Sequence, residues 1–335
     1  MKTILVTGGA GFIGSNFIDY MLKRYDDCIV NLDALTYAGR LENLSHIAQH
    51  PKYIFVQGDV RDRLLVERLF SCYAIDTVIH FAAESHVDRS IEDPSVFVST
   101  NVLGTQVLLD VAKQHWKVEP HNPYCRKYKK GTKFIYISTD EVYGALGETG
   151  FFTENTSLAP NSPYAASKAG ADLMVRAYYE TYGLPINITR CSNNYGPYQH
   201  TEKLIPMVIT KALHDESIPL YGDGQQVRDW LYVEDHCRAI DIVLRQGEIG
   251  EVYNIGGHNE RTNEEIVKLI LKQLNKSETL IEYVQDRPGH DRRYAIDHSK
   301  ITKRLKWVPQ YSFEKGLNET IEWYISQLNY DSKKK

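Results

Sequence analysis

The stretch VTGGAGFIG, residues 6–14, ends the apolar run TILVTG (3–8) and leads into NFIDYMLKRY (16–25), where apolar residues recur at helical spacing. Gly9, Gly11 and Gly14 satisfy G-x-G-x-x-G, and Gly8, Gly11 and Gly14 satisfy G-x-x-G-x-x-G. Both spacings serve one physical need: a tight turn, a backbone that approaches a pyrophosphate closely, and a helix N-terminus aimed at its charge. Alone, such a pattern also fits a structural turn. Here it stands at a strand–helix junction, and the next strand, CIVNLD (28–33), ends in Asp33, about twenty residues further on. That carboxylate can accept hydrogen bonds from an adenosine ribose and repels a 2′-phosphate, so NAD is expected rather than NADP.

Outward from this turn, β-rich runs recur at YIFVQGD (53–59), TVIHFAA (77–83), KFIYIST (133–139) and INITR (186–190), separated by longer segments that can be helical. LGTQVLLDVAKQH (103–115) again has helical spacing. Continuous apolar strands alternating with helices predict an α/β fold with a Rossmann-type, doubly wound parallel sheet. Asp59 and Val60, after the third strand, are placed to meet the adenine. Past about residue 190 the pattern changes to shorter elements broken by NNYGPYQH, YGDGQQVRDW and NIGGHNERTN. Residues 1–190 are therefore expected to form the NAD-binding domain with the catalytic residues. Residues 191–330 are expected to form mainly a smaller substrate lobe, interleaved with the first.

The 335 residues are 42% hydrophobic and 24% charged with a formal net charge of −4, an ordinary globular composition that gives no support for nucleic-acid binding. The basic run RKYKKGTK (126–133) reads as a solvated loop before a strand, and the final SKKK (332–335) as a frayed tail. Five scattered cysteines without a C-x-x-C pair fit a reducing compartment. His46 and His50 stand four apart but lack an evident third partner, so no metal is expected. The start, MKTILVTGG, lacks a signal-type apolar run, and no stretch reads as long enough to span a membrane; a cytoplasmic protein is expected.

Two further motifs carry chemistry. STDEVYG (138–144) places Thr139, Asp140 and Glu141 at a strand end, where hydroxyls and acids also serve as helix caps. In SPYAASKAGADLMVRAYYE, Tyr164 and Lys168 stand four apart and share a helix face. An ammonium near a phenol favours the phenolate, which can take a hydroxyl proton as hydride leaves the same carbon.

TGGAGFIG, Thr139 and Tyr164-x-x-x-Lys168 together resemble the extended short-chain dehydrogenase/reductases that act on nucleotide sugars, over nearly the whole chain. Within that family FAAESHVDRS (81–90), STDEVYG, CSNNYGPYQ (191–199), EKLIP (202–206), RDWLYVEDH (228–236) and RPGHDRRYAID (287–297) resemble the hexose 4,6-dehydratase branch. The resemblance implies dTDP-glucose as substrate, tightly bound NAD, and a homodimer formed through the helices holding LGTQVLLDVAKQH and Tyr164. It implies Tyr164 as the oxidation base, Thr139 on the C4 oxygen, Asp140 as acid toward the C6 hydroxyl and Glu141 as base at C5. The 4-epimerases of the family need only Tyr and Ser/Thr; related decarboxylases and GDP-mannose dehydratases typically read S-T-S-E.

By the same resemblance Gly8, Gly11, Phe12, Ile13, Gly14, Asp33, Asp59, Val60, Ala82, Thr100, Tyr164 and Lys168 contact the cofactor. Ser85, Thr139, Asn193, Lys203, Tyr221, Arg228, Asn263, Arg292 and Tyr294 hold the nucleotide sugar. His86 belongs either near the sugar or to a satisfied structural site, and Arg287 and Arg293 either to the site or to the charged surface. The rival readings are a 4-epimerase or UDP-sugar dehydratase with the same cofactor logic, and an NAD-binding sensor without catalysis.

Overall fold

The apolar runs become strands where both faces are covered by helices. The computed structural model describes residues 1–332; the lysines at 333–335, most of the expected tail, lie outside the described residues. Its first half comprises β1 (Thr3–Thr7), α1 (Phe12–Arg24), β2 (Cys28–Asp33), β3 (Tyr53–Gln57), α2 (Arg63–Tyr73), β4 (Thr77–His80), α3 (Val87–Glu92), α4 (Pro94–Phe97), α5 (Gly104–Trp116), β5 (Lys133–Thr139), α6 (Pro163–Tyr182) and β6 (Ile186–Cys191). The second half adds β7 (Asn193–Tyr195), α7 (Leu204–Leu213), β8 (Ile218–Tyr221), β9 (Val227–Tyr232), α8 (Val233–Gln246), β10 (Val252–Ile255), β11 (Glu260–Thr262), α9 (Asn263–Gln273), β12 (Ile281–Val284), α10 (Ser299–Leu305) and α11 (Phe313–Ser332).

Seven parallel strands form the main sheet in the order β10-β6-β5-β4-β1-β2-β3. The strand order reverses between β1 and β4, which opens a crevice at their carboxyl ends, where ligands of such sheets bind. One face packs α1 and α8 around Phe17, Ile18, Ile240 and Val243; the other packs α2, α5 and α6 around Phe70, Leu108, Val175 and Phe134. A third core, with Tyr195, Ile209, Trp230, Ile270 and Phe313, joins α7, α9 and α11 to the small sheets β11-β9-β7 and β12-β8. β10 and α8 lie beyond residue 190 yet complete the main sheet and its helical layer, so the chain crosses back after contributing β7 to the smaller lobe.

Two expectations need correction. TVIHFAA forms a strand only to His80, because β1 ends at its partner Thr7 and Phe81–Ala83 then turn toward the crevice. Also, one helical run, Pro94–Trp116, is 23 residues long and apolar enough by composition to span a bilayer, although half of its apolar window is buried. Its apolarity comes from two faces. Leu108, Leu109, Val111 and Ala112 are fully buried against the sheet, while Val98 and Leu103 face outward.

Candidate active site

The carboxyl ends of β1, β2, β4, β5 and β6 surround a cleft of about 400 Å³. Its floor is the glycine turn. Gly8 has φ +71°, and a Cβ there would stand 2.6 Å from Ala82 N; at Gly14 it would stand 2.3 Å from Gly8 O. Side chains are thus excluded where the backbone is closest. No side chain caps α1 and no acid lies in its first turn, so its first N–H groups face the cleft free to meet an anion. Asp33 ends β2 with its carboxylate accepting from Ala10 N at 2.9 Å and Leu35 N at 2.8 Å. Burial raises its pKa, against the pull of those two donors. Asp59 accepts from Arg61 through backbone and guanidinium, which lowers its pKa. Phe12, Ile13, Val60, Ala82 and Thr100 complete this end of the lining.

At the other end, β5 turns at Thr139 into a short 3-10 turn, Asp140–Tyr143. Thr139 Oγ1 accepts from Glu141 N at 3.3 Å, so the hydroxyl does cap this turn, while both carboxyls remain available to the cleft. Asp140 is 1% exposed; its Oδ1 accepts from Thr139 Oγ1 at 3.3 Å, and its Oδ2 is buried without a partner. Burial, then the negative charges of Glu141 and Asp229, push its pKa well above the carboxylate range. Burial also raises Glu141, but three cations, Arg287, Arg228 and Lys203, oppose that rise. Two adjacent acids therefore sit in opposite electrostatic surroundings.

Tyr164 and Lys168 enter from α6, which starts at Pro163 behind the cap Ser162. Both are buried and line the cleft. The Lys168 ammonium has its hydrogen bond elsewhere than on the phenol. Lys168 Nζ donates to Ile137 O at 2.7 Å and lies 4.4 Å from the centre of the Tyr136 ring. Burial and the negative charges of Glu141 and Asp140 hold the Tyr164 phenol well above its usual range, and burial lowers Lys168 to about 8. Behind them, Arg190 forks onto Asp172 with two 2.9 Å bonds and donates to Tyr143 Oη at 2.8 Å, tying α6, β6 and the acid-bearing turn together.

Ser85, Asn193 and Lys203 line the same cleft; Tyr221, Arg228, Asn263, Arg292 and Tyr294 do not. Arg228 and Tyr294 are buried beside it, with the guanidinium 4.3 Å from the ring centre. Tyr221 donates to Asp88 at 3.4 Å, Arg292 forks onto Asp223, and Asn263 begins α9. Arg287 belongs near the acids, pairing with Asp88 at 3.2 Å, while Arg293 binds Glu260 and the carbonyl of Gly150. His86 Nδ1 accepts from Arg89 N at 3.4 Å, and its Nε2 lies 3.7 Å from Glu202. Sequence reasoning missed Glu202 and Gln199 in the lining and the buried Asp229 that acts on Asp140; EKLIP, CSNNYGPYQ and RDWLYVEDH contain them, but nothing in those motifs told them from solvated polar residues. His46 is paired with Asp19 at 2.9 Å, and no cluster of three metal-binding side chains occurs among the described residues.

A dinucleotide and a polar sugar fit these walls. Besides Asp140 Oδ2, the lining residues Ser138, Ser192, Asn193, Gln199 and Glu202 each hold a buried side-chain oxygen without a partner. Such atoms are rare unless a polar ligand or water completes them.

Comparison with known proteins agrees with this geometry. The GDP-mannose 4,6 dehydratase family model matches residues 5–320. A dTDP-glucose 4,6-dehydratase of Xanthomonas campestris is 54% identical, covering 98% of this chain and 95% of that protein. A Bacillus anthracis dTDP-glucose 4,6-dehydratase, solved in complex with NAD, is 51% identical with TM-score 0.88, covering 98% of each chain. DesIV, a dTDP-glucose 4,6-dehydratase from Streptomyces venezuelae solved with NAD bound, is 47% identical with TM-score 0.91, again covering 98% of each chain.

Proposed function

The chain belongs to the dTDP-glucose 4,6-dehydratase family, and we propose that Asp140 and Glu141 perform the elimination step of that family's reaction. The protein is an NAD-dependent enzyme of deoxysugar biosynthesis that converts dTDP-glucose to dTDP-4-keto-6-deoxyglucose. NAD, when bound, would supply the redox chemistry, an acceptor for the C4 hydride and its donor back to C6. The glycine turn and the N-terminus of α1 hold its pyrophosphate, Asp33 the adenosine ribose, and Lys168 the nicotinamide ribose.

Thr139 orients the C4 oxygen and Tyr164 takes its proton. Because burial and two neighbouring acids hold the phenol protonated, Tyr164 becomes an effective base only when positive charge enters the cleft beside it. Once C4 is a ketone the C5 proton is acidic, and Glu141, kept ionisable by Arg287, Arg228 and Lys203, removes it. Hydroxide is a poor leaving group, so Asp140 donates a proton to the departing C6 oxygen. The observation that carries this assignment is Asp140 itself: a buried carboxyl with an unpartnered oxygen, whose burial and acidic neighbours favour its protonated, proton-donating form.

Ser85, Asn193, Lys203 and Arg228 hold the nucleotide sugar beside the acids, with Tyr221, Asn263, Arg292 and Tyr294 placed farther along the smaller lobe. Residues 1–190 chiefly serve NAD and 191–330 chiefly the nucleotide sugar. The five unpaired cysteines suit the cytoplasm. The enzyme works as a homodimer, using outward-facing Val98, Leu103 and Leu173.

The test is an isotope trace. dTDP-glucose deuterated at C4 should give a keto sugar that has lost water and carries the deuterium at C6 of the same molecule. Deuterium returned to C4 of an epimer, or lost to free NADH, would refute the assignment.

A further inference from the structure

The basic run Arg126–Lys133 plays no part in the catalytic cleft. It lies at the amino ends of β1, β5 and β6, the edge of the sheet opposite the NAD site. There it borders a second concavity of about 650 Å³, within the range of small-molecule sites. Five cations line it, Lys2, Arg126, Lys129, Lys133 and Arg245, and no acid does. Two are partly neutralised from behind: Lys2 lies 3.7 Å from Asp76, and Arg245 pairs with Asp27 and Asp241. The other three form no ion pair among the described residues. Arg126 makes only a 3.4 Å bond to Tyr179 O.

Lys133 is the most telling. It is 9% exposed and donates to Val243 O and Gly247 O at the end of α8, so two of its three protons are placed and one is left over. Burial, then the charge of Lys2, lowers its pKa to about 8. A cation unfavourably placed beside another cation is relieved by an anion at the same spot. Pro185, Leu244 and Ile249 add an apolar wall. Small-molecule sites typically combine such a wall with a few convergent polar groups.

We propose that this concavity is a second anion site that binds a phosphorylated small molecule, with phosphates among Arg126, Lys129 and Lys133 and the organic part against Pro185, Leu244 and Ile249. Bidentate and charge-assisted donors of this kind favour phosphate oxygens. Ligands of open parallel sheets bind at the carboxyl ends of strands, so the site is distinct from the dinucleotide and sugar positions.

Inorganic pyrophosphate is the probe. It is titrated at low ionic strength into NAD-loaded enzyme whose catalytic cleft is saturated with dTDP, with binding heat and melting temperature as readouts. Saturable binding and a rise in melting temperature are expected for the wild type, since a ligand of the folded state stabilises it. The Arg126→Glu/Lys129→Glu variant should bind about tenfold or more weakly, because two charge-assisted contacts become repulsive. Its turnover without pyrophosphate should be unchanged. The control Lys127→Glu/Lys130→Glu makes the same charge change on the same loop, outside the lining, and should keep near-wild-type affinity. Absence of saturable binding, or equal weakening in both variants, would overturn the proposal.

Discussion

Asp140 and Glu141 are neighbours in sequence, yet three cations oppose the rise of Glu141, while Glu141 and one further acid, Asp229, raise Asp140. The proposed elimination requires Glu141 ionised and Asp140 protonated, so kcat/KM should fall on the acid side through the Glu141 ionisation and on the alkaline side through that of Asp140. Arg287→Ala removes a charge that lowers the Glu141 pKa. That pKa then rises, and the acid limb of the pH profile moves to higher pH. Asp229→Asn removes a charge that raises the Asp140 pKa, so the alkaline limb should move to lower pH. A variant with lowered kcat/KM but unshifted limbs would show that these residues only support the fold. Tyr164→Phe should slow C4 oxidation about a hundredfold or more, checked by single-turnover formation of NADH.

The glycine turn and α6 carry the site at the level of elements. Gly14→Ala places a Cβ 2.3 Å from Gly8 O, which must displace the turn. Purified Gly14→Ala protein should therefore hold little NAD, read from its absorbance after denaturation. Arg190→Met leaves Asp172 buried and unpaired; it should cost about 3–5 kcal/mol in denaturant unfolding and loosen the turn that bears the acids. These two elements differ in how far the sequence revealed them. The glycine spacing and the apolar strands are local signals, so the parallel sheet, the glycine turn and Asp33 at the end of its second strand could be read directly, while most other cofactor positions rested on the family resemblance. Asp229 and Arg287 reach the acids from β9 and from the loop after β12, and only tertiary packing brings them there. The Lys168 side chain turned to Ile137 O for the same reason: Y-x-x-x-K spacing places two residues on one face but does not fix where an ammonium finds its acceptor.

For the whole molecule, the surface outside the cleft is informative. α6 runs close over 98–103, since a Cβ at Gly170 would lie 3.3 Å from Val102 Cγ2. Leu173, one turn on, is 53% exposed, near Val98 at 56% and Leu103 at 50%. These exposed apolar side chains on neighbouring helical segments are the surface proposed for the dimer. On the proposed homodimer, the wild type should sediment as a dimer and Leu103→Glu/Leu173→Glu as a monomer; a monomeric wild type would contradict the dimer, and an unchanged mass in the variant would place the interface elsewhere. The molecule thus offers the carboxyl edge of its sheet for chemistry, its amino edge for a proposed anion, and one helical face for the proposed second copy.

The central claim is that the two carboxyls act after oxidation rather than in it. A single turnover of Asp140→Asn and of Glu141→Gln with dTDP-glucose, quenched and resolved by mass, tests it most directly. Both variants should form enzyme-bound NADH and a 4-keto-glucose nucleotide that retains its water, and then stall. Normal progress to the 4-keto-6-deoxy product in both would contradict the account.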